Sequence, residues 1–394
     1  MLKGKESEES IKSFGSIVAD KLTEYFVDAS KPLVKNIKEI VISVIILLRS
    51  AIGWYGRMTL MGIARCLQTE GSVKSRYKRL ERFLTNELFQ VDNMVSGLYS
   101  MVGDQAIDGM IPTLIDQTDM SGVQVISASV PYQGRALPFA MVTFEYENIS
   151  DSQNKIEKDF FALLEQKLGK GRSLVFIMDR GYAQADYIES FSEKQQLYVI
   201  RACSNVIVEY MYKGKYRRTN LQRLPYKQGR AIRYKNVKYH NKRKVVVDVV
   251  KYCKKGFKEA WILIVPAGSE NRMPSSLVVE LYRSRMDIEV KFRDFKSMLG
   301  LRGLKLKVSR AAKIARLLLC IAIVYILFLI LGNCELAQQF RKEIEVLKSK
   351  KRHVTRRTLS VLTIAIFLIS DSYLLDLSNL FTLLSSLIRS SFFS

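Results

Sequence analysis

Residues 173–183 read SLVFIMDRGYA: a short apolar run, 173–178, that delivers Asp179 directly into Arg180 and Gly181. A run this brief, rich in β-branched and aromatic residues and closed by a polar turn, is a strand buried on both faces. The segments around it change period. Upstream, 153–168 carries Ile156, Phe160, Leu163 and Leu164 at helical spacing, and downstream a second helix leads into an apolar strand at 197–202. Earlier still, strands are predicted over 113–116, 123–130 and 137–146, the last two joined by a turn at 132–134. Three strands, a helix, a strand, a helix and a strand make an α/β fold, a mixed sheet with flanking helices.

The chain has 394 residues, 48% of them hydrophobic and 25% charged, so it is globular and long enough for two or three cores. Its charge is unbalanced: 62 Lys+Arg against 38 Asp+Glu leave +24, the signature of a surface that meets a polyanion. Residues 201–260 hold 18 cations and three acids, with Tyr210, Tyr212, Tyr216, Tyr226, Tyr234, Tyr239 and Tyr252 interleaved. Strands are predicted there at 244–250 and 261–265, so this is a basic β-rich insertion suited to backbone contact and base stacking, or else a solvated β surface. Residues 1–105 and 273–394 read as helical. Within the first, 59–86 looks like two helices around Gly71, the second carrying Lys74, Arg76, Lys78 and Arg79. That pattern fits helix-turn-helix docking on DNA and equally a solvated basic face. A further basic cluster lies at 348–357.

Several classes are excluded. Five scattered cysteines with no CxxC pair, and only His240 and His353, leave no structural zinc site and read as reduced, intracellular thiols. LGKGRS at 168–173 lacks the spacing of a triphosphate-binding loop. Residues 1–12 lack the apolar core of a signal peptide. The apolar run 317–331 is fifteen residues, short of the roughly 20 that span a bilayer, and is read as a core helix.

The chemistry is carried by acids. Asp116 follows one apolar run directly and Asp179 another, with Asp119 a rival to Asp116 in IDQTD. The segment 276–298, SLVVELYRSRMDIEVKFRDFKSM, is predicted as one helix. On it Tyr282, Arg285, Glu289 and Lys296 fall within about 60° of one another at 100° per residue, a polar stripe. Carboxylates at two strand ends and one on a later helix can hold two divalent cations about 4 Å apart, and hard oxygen ligands suit Mg²⁺ or Mn²⁺. The bland reading of the stripe is a solvent face with an Arg285–Glu289 pair.

LIDQTD, IMDRGYA and YRSRMDIEVKFRDFK together resemble the three catalytic blocks of the DDE transposases of bacterial insertion sequences. The likeness is to the cut-and-paste group whose third block is called YREK (the IS-four family). Its spacing Y-x2-R-x3-E-x6-K is met at Tyr282, Arg285, Glu289 and Lys296, and the resemblance spans about 110–300. It implies a ribonuclease-H-like core interrupted by a β-rich insertion, with helical N- and C-terminal regions. The expected layout is a DNA-binding region over 1–105, a split core over 106–202 and 273–333, the insertion over 203–272 and a C-terminal region over 334–394. The resemblance also implies that Asp116, Asp179 and Glu289 are catalytic and bind two Mg²⁺ or Mn²⁺ ions. Tyr282, Arg285 and Lys296 would hold DNA phosphates, and Trp261 would stack a flipped base unless it is a core residue of its strand. The implied partners are double-stranded DNA, both terminal inverted repeats and target, and a second copy in a synaptic complex, without a membrane, in a bacterial cytoplasm at the nucleoid. A descendant that binds DNA without cutting it, or a basic membrane-associated protein, are the alternatives.

Overall fold

A computed structural model describes residues 2–27, 29–50, 58–103, 106–149, 152–169, 173–257, 259–304, 306, 310–345, 348–349, 355–356, 359–370 and 376–391. Its centre is a ten-stranded mixed sheet in the order β3-β2-β1-β4-β5-β10-β9-β8-β6-β7. The strands are β1 (Met110–Met120), β2 (Val123–Tyr132), β3 (Arg135–Phe144), β4 (Ser173–Met178) and β5 (Leu197–Arg201), then β6 (Ile207–Tyr212), β7 (Lys215–Asn220), β8 (Ala231–Tyr239), β9 (Val245–Tyr252) and β10 (Trp261–Pro266). The first three form a meander on two-residue turns, Ser121–Gly122 and Gln133–Gly134, all four residues at positive φ. Such turns match the right-handed twist of the strands they join. β4 pairs with β1 and β5 with β4, both parallel, as strands joined through helices do. This half of the sheet is the mixed, helix-flanked architecture expected, and it is consistent with a ribonuclease-H-like core.

The basic segment does not form a sheet of its own. β10 pairs antiparallel with β5, and β9, β8, β6 and β7 follow, so the strands of the insertion prolong the same sheet. Two helices, α6 (Gln153–Leu168) and α7 (Ala185–Glu193), close on β4 through Phe161 and Phe191, whose rings pack on Phe176. Before them come α1 (Leu2–Tyr25), α2 (Lys31–Arg49), α3 (Leu60–Cys66), α4 (Val73–Leu84) and α5 (Val95–Val102). After the sheet come α8 (Ser275–Arg283), α9 (Met286–Arg293), α10 (Arg310–Asn333), α11 (Glu335–Ile344), α12 (Val361–Ser370) and α13 (Leu377–Ser391).

The apolar run 317–331 is part of the 24-residue α10, long and apolar enough by composition to cross a membrane, yet 89% of its apolar window is buried inside the protein. It is the core helix of the molecule. Tyr325 on it donates to Asp294 at 3.1 Å, and Arg316 donates to the carbonyls of Leu84 (2.7 Å) and Phe89 (3.1 Å), holding the end of α4. Of the cluster at 348–357, only the backbone of Lys348–Ser349 and Thr355–Arg356, a short strand pair, falls within the described residues.

Two expectations are corrected. Asp116 does not end its strand: the parallel pairing with β4 stops at Ile115, but β1 runs on to Met120 because its other edge stays paired with β2. The segment 276–298 is also not one helix. Around Ser284 the amide bonds tighten to three-residue spacing, Arg285 to Tyr282, Asp287 to Ser284 and Ile288 to Arg285, and the Ser284 hydroxyl donates to the Leu281 carbonyl. At its far end Asp294–Met298 is a wide turn, closed by the amide of Leu299 on the carbonyl of Asp294, five residues back.

Candidate active site

Asp116 and Asp179 are brought together by strand register. Ile115 pairs with Met178, the last registered pair of two strands about 4.8 Å apart, and the residue that follows each is an aspartate, Asp116 within β1 and Asp179 just past the end of β4. Each carboxylate accepts the amide of the residue that follows it, Gln117 at 2.9 Å and Arg180 at 2.6 Å. Asp119, the rival, points instead to the β1–β2 turn, where it accepts Gly122 N (3.2 Å) and Gln124 Nε2 (2.9 Å).

Glu289 arrives from α9. The tight turn at Ser284 leaves Arg285 and Glu289 as i,i+4 neighbours, and the Arg285 guanidinium contacts Glu289 through Nη2 and Asp116 through Nη1, the latter at 3.5 Å. Arg285 therefore lies between the two acids, its side chain only 8% exposed while that of Glu289 is 45% exposed. Burial pushes the Asp116 carboxyl up to about 6. The Gln117 amide and Arg285 pull it down, and repulsion from Asp179 and Glu289 adds to the rise.

Of the other stripe residues, Tyr282 stays within the field of Arg285 and Asp179, while Lys296 is drawn along β1. Tyr282 is buried with its ring edge-on to Trp261, centroids 5.1 Å apart, and Lys296 donates to Thr118 on β1 at 2.6 Å. Trp261 lines a cleft of about 190 Å³ with Tyr252, Lys254, Phe257, Glu259 and Arg283.

In the N-terminal helices the expected pair is present: α3, then a turn through Gly71 at φ +102°, then α4 capped by Ser72. Its cations divide into two groups. Arg76 donates to the carbonyls of Gly71 (3.1 Å), Arg65 (3.2 Å) and Leu67 (3.0 Å), and Arg79 pairs with Glu39 at 2.8 Å and with Asn36. Those guanidiniums are half-buried and already hold neighbouring groups of the helices. Lys74, Lys78 and Arg82, at i, i+4 and i+8, are exposed along one face. Lys74→Ala with Lys78→Ala is expected to weaken duplex binding without moving the melting temperature. Arg76→Ala is expected to lower the melting temperature by several degrees; thermal denaturation beside an anisotropy titration separates the two.

Two neighbours of the site were not read from the sequence. Lys291, fully buried on α9, donates to Ser127 (2.7 Å) and Ser129 (3.0 Å) on β2, and burial pushes its ammonium down to about 7. Tyr182 lies in the turn that follows Asp179. Its hydroxyl is buried without a hydrogen-bond partner among the described residues, and burial together with Glu157, Asp116 and Asp179 holds it well above its ordinary value. The signal for both was present but bland: lysine in a helix reads as solvated, and the tyrosine of DRGY reads as core.

Among the described residues no three His, Cys, Asp or Glu side chains stand together closely enough to hold a metal ion. The residues nevertheless suit a hard divalent cation. The donors are carboxylate oxygens, Asp179 and Glu289 both repel the charge on Asp116, and the orphaned Tyr182 hydroxyl, which feels Asp116 and Asp179, is a polar group that a water of hydration could satisfy. Residues 122–327, just over half of the chain, match the family model described as a transposase DDE domain. That span takes in Asp179 and Glu289 and begins shortly after Asp116. Among curated proteins none matches the chain.

Proposed function

The chain belongs to the transposase DDE-domain family, and on that premise we propose that it is a cut-and-paste DNA transposase of the YREK group (the IS-four family). It binds the terminal inverted repeats of its own element, hydrolyses a strand at each end and joins the 3′-hydroxyls to target DNA. The observation that carries this reading is that Asp116 and Asp179 each follow directly on Ile115 and Met178, the last registered pair of the parallel strands β1 and β4, with Glu289 tied to Asp116 through Arg285.

Asp116, Asp179 and Glu289 would hold two Mg²⁺ or Mn²⁺ ions, which when bound supply Lewis acidity for attack by water or a 3′-hydroxyl and for departure of the leaving oxygen. The protein's own residues do the rest. The β1–β4 register brings in one carboxylate on β1 and one at the exit of β4, and the Gln117 and Arg180 amides orient them. Arg285, a planar fork of five donors at the edge of the acids, meets phosphate oxygens as they arrive. Lys296, steadied by Thr118, extends the same cationic line along β1. The cleft at Trp261, with Tyr252 and Phe257 on its walls and Arg283 at its side, takes a base turned out of the stack. Two ends cut together imply a dimer in the synaptic complex, working at the nucleoid in the cytoplasm.

The test is a plasmid bearing the element's ends. Purified protein with Mg²⁺ is expected to release the element as a linear fragment, and EDTA to prevent release. A descendant that binds DNA without chemistry is the second reading, favoured by the grip of Arg285 on Glu289. It predicts retardation of the same DNA with no cleavage in Mg²⁺ or Mn²⁺.

A further inference from the structure

At the far edge of the sheet the chain leaves the body of the protein. β8 pairs with β6 only at Val208 and Glu209, whereas β6 and β7 pair with each other as far as Tyr212 and Lys215. The outer part, Met211 to Arg217, is therefore a two-stranded ribbon without a third strand beside it, and Arg218 follows at its base, opposite Glu209 and donating to Asn241. Its turn is Lys213–Gly214, both at positive φ (49° and 76°), the two-residue connection that best matches strand twist, so the ribbon is stiff at its tip.

Its composition is one-sided. Eight residues, MYKGKYRR, hold Lys213, Lys215, Arg217 and Arg218 and no acid. Met211 (50% exposed), Tyr212 (38%) and Tyr216 (55%) stand in solvent. The rings carry cations: Arg217 lies over Tyr212 at 4.4 Å and Lys238 over Tyr216 at 4.3 Å. Stacking holds long side chains extended before any ligand arrives, which lowers the entropy lost on binding. The acid at the base, Glu209, is already engaged by Lys244 at 3.0 Å. A basic ribbon with its charges set in advance matches a polyanion with a slot for two strands. The major groove of B-form DNA, roughly 12 Å wide, admits a two-stranded ribbon as it stands, whereas the minor groove, roughly 6 Å wide, has to be opened first.

We propose that the ribbon Met211–Arg218 inserts into the major groove of duplex DNA, its four cations on the flanking phosphates and its exposed Met211 and Tyr216, a cross-strand pair on one face, against the groove floor. This rests on the reading of the protein as a DNA transposase and adds a contact far from the carboxylates. A rival use of the same charges is to keep the exposed edge strand β7 from pairing with other chains.

The experiment compares wild type with a variant carrying Lys213→Gln, Lys215→Gln, Arg217→Gln and Arg218→Gln, by anisotropy on a labelled mixed-sequence duplex over a salt series. Each phosphate contact contributes about 0.9 to the slope of log K against log salt, so the variant's slope is expected to be shallower by about 3 to 4. Guanine N7 methylation is expected to interfere with wild-type binding and not with the variant's. An unchanged melting temperature shows that the variant is folded. An unchanged slope, with self-association of the variant instead, overturns the inference in favour of edge protection. A lowered slope without N7 interference, or an equal loss on duplex RNA, whose major groove is too narrow and deep to enter, overturns groove insertion. Wild type that cuts DNA while the variant binds like it sinks only the ribbon; wild type that neither binds nor cuts sinks the transposase reading itself.

Discussion

Asp179→Ala and Asp116→Asn are each expected to abolish metal-dependent cleavage of end-bearing DNA while leaving the protein folded. The loss should exceed roughly 10³-fold, because a missing carboxylate removes several kcal/mol of charge stabilisation at the reacting phosphate, and each 1.36 kcal/mol is tenfold. Stability is expected to hold or rise. The two aspartates follow the last registered pair of β1 and β4, Asp179 and Glu289 both repel the Asp116 carboxylate, and removing one like charge relieves repulsion that the fold carries. Activity loss with an undiminished melting temperature separates chemistry from architecture. The decisive measurement is single-turnover nicking at saturating Mn²⁺, with thermal denaturation of the same preparations. Cutting at the wild-type rate by Asp179→Ala would remove the carboxylates from the mechanism. A melting temperature that falls by several degrees in Asp116→Asn would make Asp116 a structural anchor of Arg285.

What the sequence disclosed followed from how far each signal depends on distant contacts. SLVFIM is apolar at almost every position and could only be buried, so β4 was legible to the residue, and with it the place of Asp179. The helix at 153–168 declared itself by spacing alone. β1 was read too short because LIDQTD turns polar after Ile115; the strand persists through backbone bonds to β2, which no side-chain pattern reports. The stripe on 276–298 was right about who is near whom at Arg285 and Glu289, since four-residue spacing survives the local tightening. Its ends are set by local backbone: past the tight turn at Ser284 Tyr282 packs its ring on Trp261 while still facing the charges of Arg285 and Asp179, and the wide turn after Arg293 brings Lys296 to Thr118. Arg76 shows the commonest loss of information. A cation on a basic helix looks solvated until the turn before it supplies three carbonyls, and those come from residues 65, 67 and 71 only once the chain is folded.

The second large effect is expected far from the carboxylates, at Asp248. Its side chain is 1% exposed and that of Arg233 is 3% exposed, and the two meet at 2.8 Å. The pair is fully engaged. The other carboxylate oxygen of Asp248 accepts the Asn236 amide at 3.0 Å, and the guanidinium of Arg233 also donates to the Met273 carbonyl and the Ser269 hydroxyl, both at 2.7 Å. Ser269 and Met273 lie in the loop that leads into α8, so the pair fastens the strands of the insertion to the helix that carries Tyr282. Asp248→Ala leaves a buried guanidinium without its counter-charge, a change that costs about 3–5 kcal/mol. At roughly 2–4 °C per kcal/mol, the melting temperature should fall by about 10 °C. Combining Asp248→Leu with Arg233→Met removes both charges and is expected to bring the melting temperature back near wild type, since apolar replacement of a buried pair is often neutral or stabilising. The loop is not restored with it, because Ser269 and Met273 lose their donors. Cleavage by the double variant is therefore expected to stay about tenfold down, the effect of a helix held less accurately over the reacting strand. A single variant that unfolds within about 1 kcal/mol of wild type would show that Arg233 finds water or another partner. A double variant that recovers cleavage along with stability would show that packing alone, without these two hydrogen bonds, sets the helix that bears Tyr282.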